Sequence, residues 1–280
     1  MMPKPIKIMR RRFFLSAILM LSFCCCSSQT LESKNALNIS LGLSLPVGAY
    51  AKTDITNSSS GVANTGEVVK VAYTHLVSKS FGLSLAIHGQ RNPLHTKAFE
   101  ESLSQSDFYQ SVFFSSTTNP SPTQIPSGKY GNWKVDKASW LLGALLAGGY
   151  AQVYPGSSDK LLLTAKAMLG VAYVHTPELN AKSSSDTALV QITQNDGSAP
   201  GFAYSIAGGF KLKCSGRIYL LSQVEYFGTG NIMFKDIKST ITAAHYQNGS
   251  PASLSMQTAT GNGKQKIAAI NLNIGIGINL

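Results

Sequence analysis

The sequence predicts an all-β fold, an eight-stranded antiparallel up-and-down transmembrane β-barrel, and three observations predict it. An export segment leads the chain. Stretches of two-residue apolar/polar alternation follow it. The connections between those stretches alternate between very short and very long.

Composition bounds the class first. Charged residues are 13% of the 280, well under the roughly 25% of an ordinary globular domain. Mean hydropathy is +0.04, too low for a helical membrane protein and too high for a disordered chain. Low charge with neutral hydropathy fits strands with lipid on one face and a polar interior on the other. The formal charge of +11 is inflated by Lys4, Lys7, Arg10, Arg11 and Arg12, and a chain starting at Gln29 carries +6. That excess is dispersed and forms no basic cluster, so nucleic acid is not an expected partner.

Residues 1–28 read as a signal peptide and 29–280 as the barrel domain. Basic residues lead into the apolar run Phe13 to Phe23, then the small residues Cys24 to Ser28. The run is too short to span a bilayer and has the charge–apolar–small order of an export peptide, with cleavage expected before Gln29. Leu21-Ser22-Phe23-Cys24 loosely resembles a lipobox, although Phe23 is bulky for the position before an acylated cysteine. Cleavage leaves Cys214 alone, so no intrachain disulfide is expected in the mature chain.

The last strand shows the alternation best. Ile270, Leu272, Ile274, Ile276, Ile278 and Leu280 share one face; Asn271, Asn273, Gly275, Gly277 and Asn279 share the other. Asparagine and glycine are poor strand formers, so propensity does not explain the run. An apolar face on lipid and a crowded polar lumen do. The first strand repeats the pattern, with Leu37, Ile39, Leu41, Leu43 and Leu45 against Asn38, Ser40, Gly42 and Ser44. These two must pair, because an open edge in hydrocarbon leaves backbone groups unbonded.

Six strands fall between them, at about 67–76, 80–91, 138–153, 160–175, 201–213 and 216–227. Val77-Ser78-Lys79, Pro155-Gly156-Ser157-Ser158 and Cys214-Ser215 are tight turns, whereas 48–66, 92–137, 176–200 and 228–265 are long loops. Short turns belong on the periplasmic side. Trp140, Tyr173, Tyr204 and Tyr226 are expected near the long-loop ends and Phe81, Tyr150 and Phe210 near the short-turn ends, as two interfacial belts.

As an architecture over residues 36–280, the chain resembles the small OmpA-, OmpX- and OmpW-like outer-membrane barrels. The resemblance implies an outer-membrane location in a Gram-negative envelope, contact with outer-membrane lipid and lipopolysaccharide, and passage through the barrel-assembly machinery. Such families usually end in an aromatic residue; this chain ends in Leu280.

The same alternation turns His88, Gln90, Lys166, Lys211, Arg217, Gln223 and Glu225 inward as a candidate lumen polar network. Eight strands leave an interior that side chains fill, so the network reads as a polar plug or, alternatively, a narrow passage. Chemical motifs are absent. Lipid A deacylases, another eight-stranded family, carry His-x-Ser, and none of His75, His88, His95, His175 or His245 has serine two residues later. No metal spacing or cofactor motif occurs. Loop 92–137 holds Phe99, Leu103, Phe108, Tyr109, Val112, Phe113 and Phe114, and a Thr/Pro/Ser stretch through Ser127. Its apolar content suits packing over the barrel mouth, a raised hairpin, or an extracellular partner. Loop 228–265 reads as an exposed polar tip and a second partner surface. The expectation is a non-enzymatic envelope barrel with a structural or surface-interaction role. A small passive channel is the alternative, and a lipid-acting enzyme comes third.

Overall fold

A computed structural model describes residues 34–54, 59–104, 132–155, 160–184, 188–247 and 250–280, with backbone alone at 184, 188, 245–247 and 250–255. The signal segment, the loop residues 105–131 with their Phe108-to-Ser127 stretch, and turn residues 156–158 lie outside it.

Eight long strands form a closed antiparallel circuit. They are β1 (Asn35–Pro46), β2 (Gly66–Leu76), β3 (Phe81–Pro93), β5 (Ser139–Val153), β6 (Leu161–His175), β9 (Ser198–Lys213), β10 (Ile218–Gln247) and β11 (Ser250–Asn279). Each pairs with the next, and β11 pairs with β1 from Ala36↔Asn279 to Pro46↔Ala269. The expected closure of first on last strand is therefore present, and every edge in the barrel wall is bonded.

Burial alternates with period two along each strand, as the pleat requires. On β3, Gly82, Ser84, Ala86, His88, Gln90 and Asn92 face in, and Leu83, Leu85 and Ile87 stay exposed on the outside. Ile39, Leu41 and Leu43 on β1, Leu169 and Val171 on β6, and Ile274 and Ile276 on β11 are exposed likewise. A continuous apolar outer face around an interior that holds polar and charged residues is inverted relative to a soluble barrel, and lipid is the solvent it fits.

The inward glycines have a steric reason. A Cβ on Gly170 would run into the carbonyl oxygen of Leu145 on the neighbouring strand, and one on Gly275 into that of Ile39. Tightly coiled strands of a small barrel bring backbone that close, so glycine is required where propensity would reject it.

Outside the barrel the structure departs from the expected loops. β10 and β11 do not stop near residue 228 but continue as one hairpin to Gln247 and Ser250, with register shifts at Gly228/Asn231, Phe234/Ile237 and His245/Tyr246. Segment 228–265 is thus a raised two-stranded ribbon. Threonine and isoleucine make its polar-looking composition a good strand former; Thr240 and Thr258 approach at 3.1 Å across it. Loop 176–200 holds a second hairpin, β7 (Leu179–Ser184) with β8 (Ala188–Gln194), and β8 adds to the edge of β10 from Ser239↔Gln194 to His245↔Ala188. The short β4 (Lys134–Val135) extends this sheet beyond β7.

Helix α1 (Thr96–Ser104) lies against the raised sheet. Its Leu103 and Phe99 join Val62, Leu94, Trp133, Val135, Leu179, Val190, Ile192 and Ile241 in a second apolar core. Glu100 accepts a hydrogen bond from the Val135 amide at 3.0 Å, fixing α1 to β4. The long connections therefore build a folded cap with its own core. The described part of loop 92–137 is accounted for by packing against this raised sheet.

Candidate functional site

The lumen is built by parity. Side chains two apart on one strand share a face, so β3 presents His88, Gln90 and Asn92 to the interior in a row, all at most 5% exposed. The row is wired along the strand: His88 Nε2 lies 3.2 Å from Gln90 Oε1, and Gln90 Nε2 donates to Asn92 Oδ1 at 2.7 Å. Asn92 also accepts from Ser44 and from the hydroxyl of Tyr50, each at 3.3 Å. Tyr50 comes from the 3-10 helix Gly48–Ala51 of the first long loop, so a loop residue closes the network from above.

The centre of the lumen is an ion pair. Lys70 Nζ of β2 donates to Glu225 Oε1 of β10 at 2.5 Å, with both side chains essentially inaccessible. His88 Nδ1 lies 3.9 Å from the other carboxylate oxygen, and its ring stacks on Phe227 at 4.4 Å. Glu225 is the only acid among the described inward residues. Leaving it unpaired in a low-dielectric interior would be costly, and Lys70 compensates it.

Of the seven sequence-derived network residues, His88, Gln90 and Glu225 are brought together around Asn92 and Lys70. Lys166, Lys211 and Gln223 face the lumen and are buried, but no hydrogen bond or ion pair ties the two lysines to Glu225. Arg217 does not belong. β10 begins at Ile218, so Arg217 sits exposed in the tight turn, outside the strand register that would have aimed it inward. Lys70 was missed, yet its signal is legible. It lies mid-strand between Val69 and Val71, where an outward ammonium would sit in hydrocarbon.

Half the lumen is apolar, which alternation alone does not reveal. Trp140, Leu142, Leu146, Met168, Val174, Phe227, Ile232, Phe234 and Ile267 pack with Tyr50 into one buried cluster. Trp140 donates to the Gly61 carbonyl at 2.9 Å and meets Tyr50 edge-on at 5.7 Å. Together these seal the lumen at its long-loop end. The expected belts are corrected accordingly. Trp140 and Tyr150 point inward, whereas Phe81, Phe210, Tyr173 and Tyr226 do face outward. Phe202, Tyr204 and Tyr226 form an outer aromatic patch, with successive centroids 6.3 and 6.1 Å apart.

The chain is thus a small closed eight-stranded antiparallel β-barrel with an apolar outer face. No family model matches the chain, and no curated protein matches it. Among solved structures, the barrel is similar to Neisserial surface protein A (8% identity, TM-score 0.39, covering 88% of this chain and 96% of that one). It is also similar to Ail, the attachment invasion locus protein of Yersinia pestis (10%, 0.37, covering 88% and 99%). A third is a major outer membrane protein from Thermus thermophilus (8%, 0.42, covering 87% and 98%).

One further grouping lies on the outer wall of the barrel. His175 ends β6 directly opposite Ser198, which begins β9, and both face out just above Tyr173. His175 Nδ1 is 2.7 Å from Ser198 Oγ, and Nε2 is 2.9 Å from Asp196 Oδ2. No sequence motif marks it, because only strand pairing brings residue 175 to residue 198.

Proposed function

We propose that the barrel resides in the outer membrane and serves the envelope through its surface. The folded cap is its working part, and the lumen is a structural plug. The observation that carries this reading is the continuous apolar packing from Tyr50 and Trp140 to Phe227 and Ile232 across the long-loop end of the lumen. A conducting path would have to cross that packing. The alternative of a passive channel for small or hydrophobic solutes finds no support in that arrangement. Lipopolysaccharide around the outer wall, the barrel-assembly machinery and an extracellular partner for the cap remain parts of this proposal. The test is complementation. Cells lacking the protein should become sensitive to bile salts or detergent, and the full chain should restore resistance. A barrel whose ribbon is cut back between Gly228 and Ala268 and closed by a short turn should not. Full rescue by the trimmed barrel would place the role in the wall and sink the reading.

A second reading, a lipid-acting enzyme, rests on His175, Ser198 and Asp196. Serine, imidazole and carboxylate in line are the elements of acyl transfer, and an outward-facing set at the long-loop end of the wall suits a lipid ester. Ser198 Oγ would add to the ester carbonyl as its proton passes to His175 Nδ1. The alkoxide leaves with that proton, and water then releases the acid from acyl-Ser198. A fluorophosphonate that labels the folded barrel, but not its Ser198→Ala variant, is the expected sign; equal labelling of both, or none, rejects this reading.

A further inference from the structure

Below the plug lie two further basic side chains that form no ion pair among the described residues. Lys166 and Lys211 are more than nine-tenths buried, and their Nζ atoms lie 5.7 and 4.9 Å from the centre of the same Tyr150 ring. Lys211 Nζ is also 4.5 Å from the ring of Tyr219. Glu225 is committed to Lys70, and among the described residues neither remaining ammonium has a carboxylate or a hydrogen-bond acceptor within reach. The tyrosine hydroxyls are used elsewhere: Tyr150 donates to Gln152 at 2.8 Å and Tyr219 to Asn38 at 2.5 Å. A ring face attracts a cation, but more weakly than burial penalises one.

The inner wall of β11 adds carboxamides whose donors and acceptors are both unused. Asn271 and Asn273 are at most 1% exposed, and neither carboxamide has a hydrogen-bond partner among the described residues. Asn273 opposes Gln223, which in turn opposes Gly209, two residues from Lys211. Among the described residues the lining loosens toward the short turns. The inward residues Leu162, Thr164, Lys213 and Leu221 near the short turns are only half-buried, whereas Val174, Ala203 and Ile267 higher up are wholly enclosed.

We infer that this part of the lumen binds a small oxyanion, a phosphate or carboxylate group, between the ammonium groups of Lys166 and Lys211. Two buried basic groups on one tyrosine ring favour an anion over a neutral solute, and carboxamide N–H groups add neutral donors to the same wall. The site is independent of the role assigned to the cap.

The test is thermal unfolding of the refolded exported chain in zwitterionic micelles, titrated with sodium phosphate against sodium chloride at fixed ionic strength. Phosphate should raise the unfolding temperature saturably and chloride should not; equal effects of the two salts would overturn the site. The Lys166→Met/Lys211→Met variant should be more stable than the parent without phosphate and should lose the response. A less stable variant, or an undiminished response, contradicts the inference. If that variant does not fold, Lys211→Gln should weaken apparent phosphate affinity at least fivefold, and unchanged affinity counts against the site. Acetate as effective as phosphate assigns a carboxylate ligand; phosphate alone assigns a phosphoryl group. A shift seen only with phosphatidylglycerol in the micelle assigns the effect to exposed basic residues such as Arg217 and overturns the lumen site.

Discussion

Replacing Glu225 by glutamine tests the centre of the lumen. The substitution keeps the shape and removes the one inward acid among the described residues, so Lys70, 2% exposed, loses its counter-charge while Lys166 and Lys211 remain nearby. Removing one partner of a buried ion pair costs about 3–5 kcal/mol, roughly two to three and a half decades in the folding constant. Lys70→Met should be costly for the converse reason, since it strands the carboxylate. The variant carrying both Lys70→Met and Glu225→Gln buries no charge at this point and should return to within about 2 kcal/mol of the parent. Urea titration in micelles, read as the fraction that keeps the migration of the folded barrel on an unheated gel, gives all four stabilities. Additivity of the two single changes to within about 0.5 kcal/mol would mean that the residues are not coupled, and would refute the ion-pair account.

Further expectations concern the wall and the cap. Gly170→Leu places a side chain against the Leu145 carbonyl of the adjacent strand and should abolish the folded gel band, because that backbone cannot retreat without breaking the ladder. Ile192→Asp buries a carboxylate in the cap core, where Ile192 is fully enclosed. It should leave the barrel folded and make the β7–β8 hairpin cleavable by added protease, because an unpaired buried charge melts the core that holds it.

The barrel itself was legible in the sequence because lipid on one side and a crowded lumen on the other impose a strict two-residue period. Ile270 to Leu280 and Leu37 to Leu45 carry that period unmistakably, and the structure pairs those two segments. Chemistry inside the barrel was less legible. Parity gives the face of Glu225 but not its partner, since Lys70 is distant in sequence and any inward lysine satisfies the pattern. Lys166 opposes Ala207 and Ala207 opposes Glu225, yet the carboxylate turns across the lumen to β2. Arg217 shows the limit of parity, which holds only where a strand exists. The ribbon 228–265 was hidden for another reason. Its alternation is weak because one edge is covered by β8 and its faces meet cap and solvent rather than lipid, so no sharp apolar stripe is required. Trp140 and Tyr150 are amphipathic, and sequence position alone does not separate an interfacial ring from one that plugs a lumen.

Single-channel recording of the refolded exported chain in a planar bilayer tests the central claim most directly. A barrel closed by Tyr50, Trp140, Phe227 and Ile232 should stay electrically silent, while its unheated gel migration confirms that it is folded. Steady, reproducible openings from that same folded protein would contradict the plug and return the lumen to the role of a passage.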